Sequence, residues 1–182
     1  MSITVCVFCG SRTGSNPGWS TASKQLGFEI AKHGWRLVFG GGGGGLMGEL
    51  ARGAIASHGT VIGIIPNFLT EAEPVIQDLS ELYVVESMIE RKEMMVDLSD
   101  IFIVLPGGIG TIEELFEVWT GNHVKAYSKP ILIVNLDGFF DDLLSFAKKQ
   151  YENGFLIERH FSHITVVTSI PEAIAFIRLK AQ

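Results

Sequence analysis

Apolar residues along the chain fall into short unbroken runs, and between these runs they recur every third or fourth position. The run at positions 3–9 reads as a buried strand. Asn16 and Pro17 then open a helix, with Asn as cap and Pro in the first turn. Leu26, Ile30 and Ala31 give that helix an apolar stripe, and Gly34 ends it. Positions 36–39 form a short strand that runs into a glycine cluster. A helix follows at 46–58, and a strand at 60–65 ended by Pro66. Positions 66–80 form the longest stretch without periodicity, expected to be a functional or mobile loop. A strand at 82–85 comes next. Ser87 to Glu90 has capping-box spacing and opens a helix to about Ser99. The rest reads as a strand at 101–105, a helix from about Thr111, a strand at 130–136, a helix at 141–151, a strand at 164–167 and a last helix from Pro171.

Continuous apolar strands separated by helices predict an α/β fold. The expected form is a doubly wound, Rossmann-like parallel sheet with helices on both faces, built as one domain over residues 1–182. The two cysteines, Cys6 and Cys9, form a C-x-x-C inside a strand rather than at a helix start. They are expected on opposite faces as reduced thiols. The formal net charge is −6 and no basic run exists, which argues against a nucleic-acid surface. No run reaches the ~20 apolar residues of a membrane span, and no leader pattern stands at the N-terminus. The expected location is cytoplasmic.

Glycine is the compositional outlier, at 21 residues of 182 against a usual level of roughly 7%. Six form the run 40–45, with Gly48 close behind, and three more are Gly107, Gly108 and Gly110. Both clusters are expected at the carboxyl ends of strands, where ligands bind in such folds. There a glycine turn and a helix N-terminus together favour an anion, most naturally phosphate. The first cluster fits G-x-G-x-x-G through Gly40, Gly42 and Gly45, but six glycines fit most such patterns, and the following strand ends without an acid for a ribose. The second cluster, Pro106 to Thr111, ends in a hydroxyl at a helix start and is followed by Glu113, Glu114 and Glu117. Thr111 is expected to cap that helix or to donate to a phosphate oxygen. Glu113 and Glu117 share a helix face, as do Glu114 and Glu117. His160 and His163 are the only close histidine pair and are read as solvated or packing residues rather than metal ligands.

These motifs resemble the LOG ("Lonely Guy") family, the cytokinin riboside 5'-monophosphate phosphoribohydrolases, a family also labelled "possible lysine decarboxylase". The resemblance runs from Val5-Cys6-Val7-Phe8-Cys9-Gly10-Ser11 to Lys129-Pro130. It passes through Gly40 to Gly48, Glu90-Arg91-Lys92 with Met95, Ser99-Asp100, and Pro106 to Glu114. It implies hydrolysis of the N-glycosidic bond of a nucleoside 5'-monophosphate, such as a cytokinin riboside monophosphate or AMP, to a free base and ribose 5-phosphate. The catalytic pair it implies is Arg91 and Glu114. Substrate contacts are expected from Gly10, Ser11, Gly42, Gly45, Met88, Lys92, Gly107, Gly108, Gly110 and Thr111. Met95 is a further candidate for the base pocket, against a core role. Neither a metal nor an organic cofactor is expected. The decarboxylase label would need pyridoxal phosphate on a lysine, for which only Lys92 is near and no acid partner is recognisable. The resemblance also implies a homodimer, and a helix apolar on more than one face (Leu115, Phe116, Val118 and Trp119) suits burial by a partner. The chain departs from the family at Ile89, where many members have His, and at positions 121–127. The rival class is a nucleotide-binding sensor or carrier with little turnover.

Overall fold

A computed structural model describes residues 2–71 and 76–181. Seven strands form one parallel sheet: β1 (Thr4–Phe8), β2 (Arg36–Phe39), β3 (Val61–Pro66), β4 (Glu81–Val85), β5 (Ile101–Val104), β6 (Ile131–Val134) and β7 (Ile164–Val167). Their order is β4-β3-β2-β1-β5-β6-β7. The chain builds outward from β1 in one direction as far as β4, then returns to the other side of β1 for β5 to β7. The reversal lies between β1 and β5, where this class of fold opens a crevice beyond the strand ends. The central strands are buried along their length, and exposed positions gather on the edge strands β4 and β7. That is why the inner strands read as unbroken apolar runs.

The helices are α1 (Pro17–Lys32), α2 (Gly45–Ala56), α3 (Met88–Leu98), α4 (Ile109–His123), α5 (Asp141–Glu152), α6 (Glu158–Phe161) and α7 (Ile170–Lys180). One apolar cluster joins the sheet to α1, α2 and α7, through residues such as Leu26, Leu50 and Ile174. A second joins the opposite face to α3, α4 and α5, through Met95, Leu115 and Ala147. Cys9 belongs to the first cluster and Cys6 to the second, both as free thiols, so the alternation inferred along β1 holds. Burial pushes both thiols up from their ordinary range, with a further push from Glu114. Asn16 caps α1 as expected, accepting a bond from Gly18 N at 2.9 Å. Ser87 caps α3 by accepting from Glu90 N at 3.1 Å, while the Glu90 carboxylate reaches back to Glu86 N at 2.9 Å.

Two expectations change. Helix α4 begins at Ile109 rather than near Thr111, and its cap is Gly108, so Thr111 sits in the first turn and caps nothing. Leu115, Val118 and Trp119 of α4 are covered by the chain itself. Leu115 and Val118 are buried against the sheet, and Trp119 packs on Phe161 of α6 while its indole N–H donates to His160 O at 2.8 Å. Those three residues therefore supply no argument for a partner, whereas Ile109 at the start of α4 stays 91% exposed. In the expected loop at 66–80, a 3-10 turn occupies Asn67–Leu69, and positions 72–75 lie outside the described residues. Among the described residues, no helix is long and apolar enough to cross a membrane.

Helices α1 and α2 touch backbone to backbone. A Cβ on Gly27 would overlap the Leu50 carbonyl, and one on Gly53 would overlap the Lys24 carbonyl. Helix propensity alone would make Gly27→Ala stabilising by about 1 kcal/mol. The close approach reverses that sign. Gly27→Ala is expected to destabilise the chain by about 1–3 kcal/mol, read as a lower denaturant midpoint. A raised midpoint would show that the helices are not in contact there.

Candidate active site

A cavity of about 590 Å³ opens at the reversal point of the sheet, within the usual range of roughly 300–1,000 Å³ for small-molecule sites. Segments far apart in the chain form its walls. They are the turn after β1 (Cys9 to Gly14) with Trp19 of α1, Leu46 and Met47 of α2, Met88 and Arg91 of α3, the turn after β5 with Glu114 of α4, and Phe139 after β6. Backbone bonds lace the strand tips together. Gly10 N donates to Pro106 O at 3.0 Å, and Leu46 N donates to Gly10 O at 3.0 Å.

Arg91 and Glu114 meet in this cavity. Each is more than nine-tenths buried, and Arg91 Nη2 lies 3.3 Å from Glu114 Oε1. Arg91 Nη1 is 3.7 Å from Met88 Sδ, and its Nε has no partner among the described residues. Burial is the main influence on Glu114 and pushes its carboxyl up to about 7; Arg91 pulls it down, Glu113 raises it and Lys92 lowers it. A carboxylate poised there exchanges its proton near neutral pH and suits charge stabilisation or proton transfer.

The turn after β5 lies along the same cavity. Gly107 is closed in, since a Cβ there would overlap Thr111 Oγ1. Gly108 and Gly110 face open space: beyond their own stretch of chain, no atom of the described residues lies within 4 Å of a Cβ on either. With them the first turn of α4 presents backbone N–H groups that the helix does not use. This end of α4 suits an anion. Of the residues expected to touch substrate, Gly10, Ser11, Met88, Gly107, Gly108, Gly110 and Thr111 line the cavity.

Gly42, Gly45 and Lys92 do not. The long glycine run lies behind the cavity wall and shapes it. A Cβ on Gly40 would overlap the Arg91 guanidinium, and one on Gly45 would overlap the Ser11–Arg12 backbone. Gly45 also has φ +54°, which favours glycine. Lys92 lies outside the cavity lining, in ion pairs with Glu113 and, at 3.0 Å, with Glu117. Its ammonium is held above the usual lysine range, chiefly by the Glu113 bond. A pyridoxal-binding lysine needs a neutral amine at some stage, so Lys92 does not fit that cofactor. Met95 is core, at 1% exposure. Ile89 is exposed and outside the cavity lining. His160 packs against His123 of α4, ring centroids 3.8 Å apart, rather than pairing with His163. Among the described residues no three His, Cys, Asp or Glu side chains group to hold a metal ion.

Sequence reasoning missed Arg12 at the rim, Met47, and the aromatic wall of Trp19 and Phe139. These two rings meet edge to face at 5.1 Å, and a bond of 2.8 Å from Asn16 Nδ2 to Asp137 Oδ2 ties their segments together. The Asn16 cap was a usable signal for Trp19, because it places the first turn of α1 just beyond the β1 turn.

The family model described as "Possible lysine decarboxylase" matches residues 47–177. A probable cytokinin riboside 5'-monophosphate phosphoribohydrolase of Oryza sativa subsp. japonica is 43% identical over 84% of this chain and 62% of its own length. A cytokinin riboside 5'-monophosphate phosphoribohydrolase of Rhodococcoides fascians is 41% identical over 96% of this chain and 89% of its own. Among solved structures, the molybdenum cofactor carrier protein of Chlamydomonas reinhardtii superposes with a TM-score of 0.76 at 22% identity, covering 100% of both chains, which shows a shared fold. With two relatives above 40% identity and a family model spanning most of its length, the chain belongs to the LOG family, the cytokinin riboside 5'-monophosphate phosphoribohydrolases.

Proposed function

We propose that the chain hydrolyses the N-glycosidic bond of a nucleoside 5'-monophosphate, a cytokinin riboside monophosphate or AMP, to a free base and ribose 5-phosphate. The observation that carries this reading is the buried Arg91–Glu114 pair facing a cavity that also holds the N-terminus of α4. Phosphate binding alone has no use for a carboxylate at that place. The 5'-phosphate sits on the first turn of α4, against Gly108, Gly110 and Thr111. The ribose then lies over Arg91 and Glu114, and the base lies against the Met88 side. Arg91 binds phosphate or ribose oxygens through its planar fork. Bond cleavage leaves oxocarbenium character on the ribose. The Glu114 carboxylate stabilises that charge, as fixed charge in a dry site does most effectively. Water adds through its oxygen to the anomeric carbon, and one of its protons goes to the departing base, which leaves ribose 5-phosphate and the free base.

The chain acts as a homodimer in this reading. Ile89 in the first turn of α3 and Ile109 at the start of α4 are large apolar side chains, 67% and 91% exposed, that a partner would take out of water.

Incubation with AMP and with isopentenyl-adenosine monophosphate, followed by chromatography, is expected to show release of free base. Glu114→Gln is expected to lower it by about 10²-fold or more. Tight binding without base release would overturn the reading in favour of a carrier. Because Glu114 takes up a proton near pH 7, kcat is expected to rise with pH through about 7 and then level, since only the ionised form offers negative charge. A rate that rises towards acid would contradict that role. Sedimentation at assay concentration is expected to show a dimer, and a monomer would remove that part.

A further inference from the structure

Arg91 and Glu114 each have a charged neighbour in sequence that leaves the cavity. Lys92 follows Arg91 on α3, and Glu113 precedes Glu114 on α4. One residue along a helix turns the side chain by about 100°, so these neighbours meet behind the catalytic pair. Lys92 Nζ bonds Glu113 and Glu117, which lie one turn apart on α4. The Lys92 side chain is only 16% exposed, while the two glutamates are about half exposed. Lys92 and Glu114 border the same narrow crevice between α3 and α4. The far end of α3 is held separately, by Lys129 Nζ on Val96 O at 2.6 Å.

We infer that Lys92 is a positioning residue for the reaction: it clamps α3 to α4 through Glu113 and Glu117, which sets the spacing of Arg91 and Glu114 and offsets the negative charge beside Glu114. The inference rests on the hydrolase reading above. Ion pairs with exposed partners add little to stability, so the value of this one lies in geometry and field. A misplacement of about 1 Å in a catalytic group costs up to about 10²-fold in rate. Among the described residues the charged and titratable groups around Glu114 are Arg91 and Lys92 from α3, Glu113 and Glu117 on its own helix, the neutral thiols Cys6 and Cys9 from β1 and the turn after it, and Arg12 at the rim. Lys92 holds the Glu114 carboxyl down and Glu113 pushes it up. Loss of Lys92 therefore leaves the glutamate unopposed and moves protonation of Glu114 to higher pH.

The test is kcat and KM against pH for the wild type, Lys92→Met, Lys92→Arg and the double variant Lys92→Met/Glu113→Gln, with Tm measured for each. Lys92→Met is expected to move the acid limb up by about half a pH unit, about a threefold loss on that limb. Its alkaline plateau of kcat is expected to fall about tenfold, with KM nearly unchanged. Lys92→Arg restores both limb and plateau. The double variant returns the limb but leaves the plateau low, because charge is rebalanced while the clamp stays broken. An unchanged limb and plateau in Lys92→Met would overturn the inference while leaving the hydrolase reading intact. So would a plateau loss that vanishes at temperatures well below Tm, or equal losses in Lys92→Arg and Lys92→Met. Absence of turnover in the wild type would overturn both readings.

Discussion

The buried pair of Arg91 and Glu114 is the constraint around which the cavity is arranged. Two charges drawn out of water carry a desolvation penalty of several kcal/mol each, and among the described residues the guanidinium has one carboxylate contact at 3.3 Å and an unpartnered Nε. A pair left so incompletely satisfied is poorly suited to stabilising a fold and well suited to meeting a polar ligand. The sheet provides the rigidity that this requires. Its strands end on a laced edge, α3 and α4 start just beyond that edge, and the two charges project from those helices into one space. Preorganisation is thus supplied by backbone hydrogen bonds and close packing, with the charged groups added last.

The glycine excess belongs to the same arrangement, divided between two tasks. Gly108 and Gly110 leave room in the cavity, whereas Gly40 and Gly45 leave room for the protein's own atoms, the Arg91 guanidinium and the Ser11–Arg12 turn. The longer run is a mould for the wall, and the shorter cluster is the wall itself.

The inner strands were legible because strands covered on both faces must be apolar throughout, and the edge strand β7 because its short β-branched run is bounded by polar residues; β2 and β7 were placed to the residue and the others to within one or two. The start of α4 was not, because its cap is a glycine and its first residue, Ile109, is exposed; neither leaves a polar signal, and Thr111 drew the boundary inward. Lys92 was expected at the substrate through the family motif that it shares with Arg91, and a motif does not show that adjacent helix positions point about 100° apart. The Arg91–Glu114 pairing was reached through family resemblance, since 23 positions separate the two and only the sheet order brings them together. The wall of Trp19 and Phe139 is purely tertiary, and no local pattern announces it.

The bonds from Gly10 to Pro106 and from Leu46 to Gly10 have a consequence for how the chain acquires its activity. They join three segments that are distant along the backbone, and the cavity exists only where all three meet. Closing such long loops is the slow, entropically opposed part of assembling a parallel sheet. The pocket therefore depends on contacts between segments about 35 to 95 residues apart, and a short contiguous fragment lacks most of its walls. The walls from β1, α2 and the turn after β5 come together only when β5 lies beside β1.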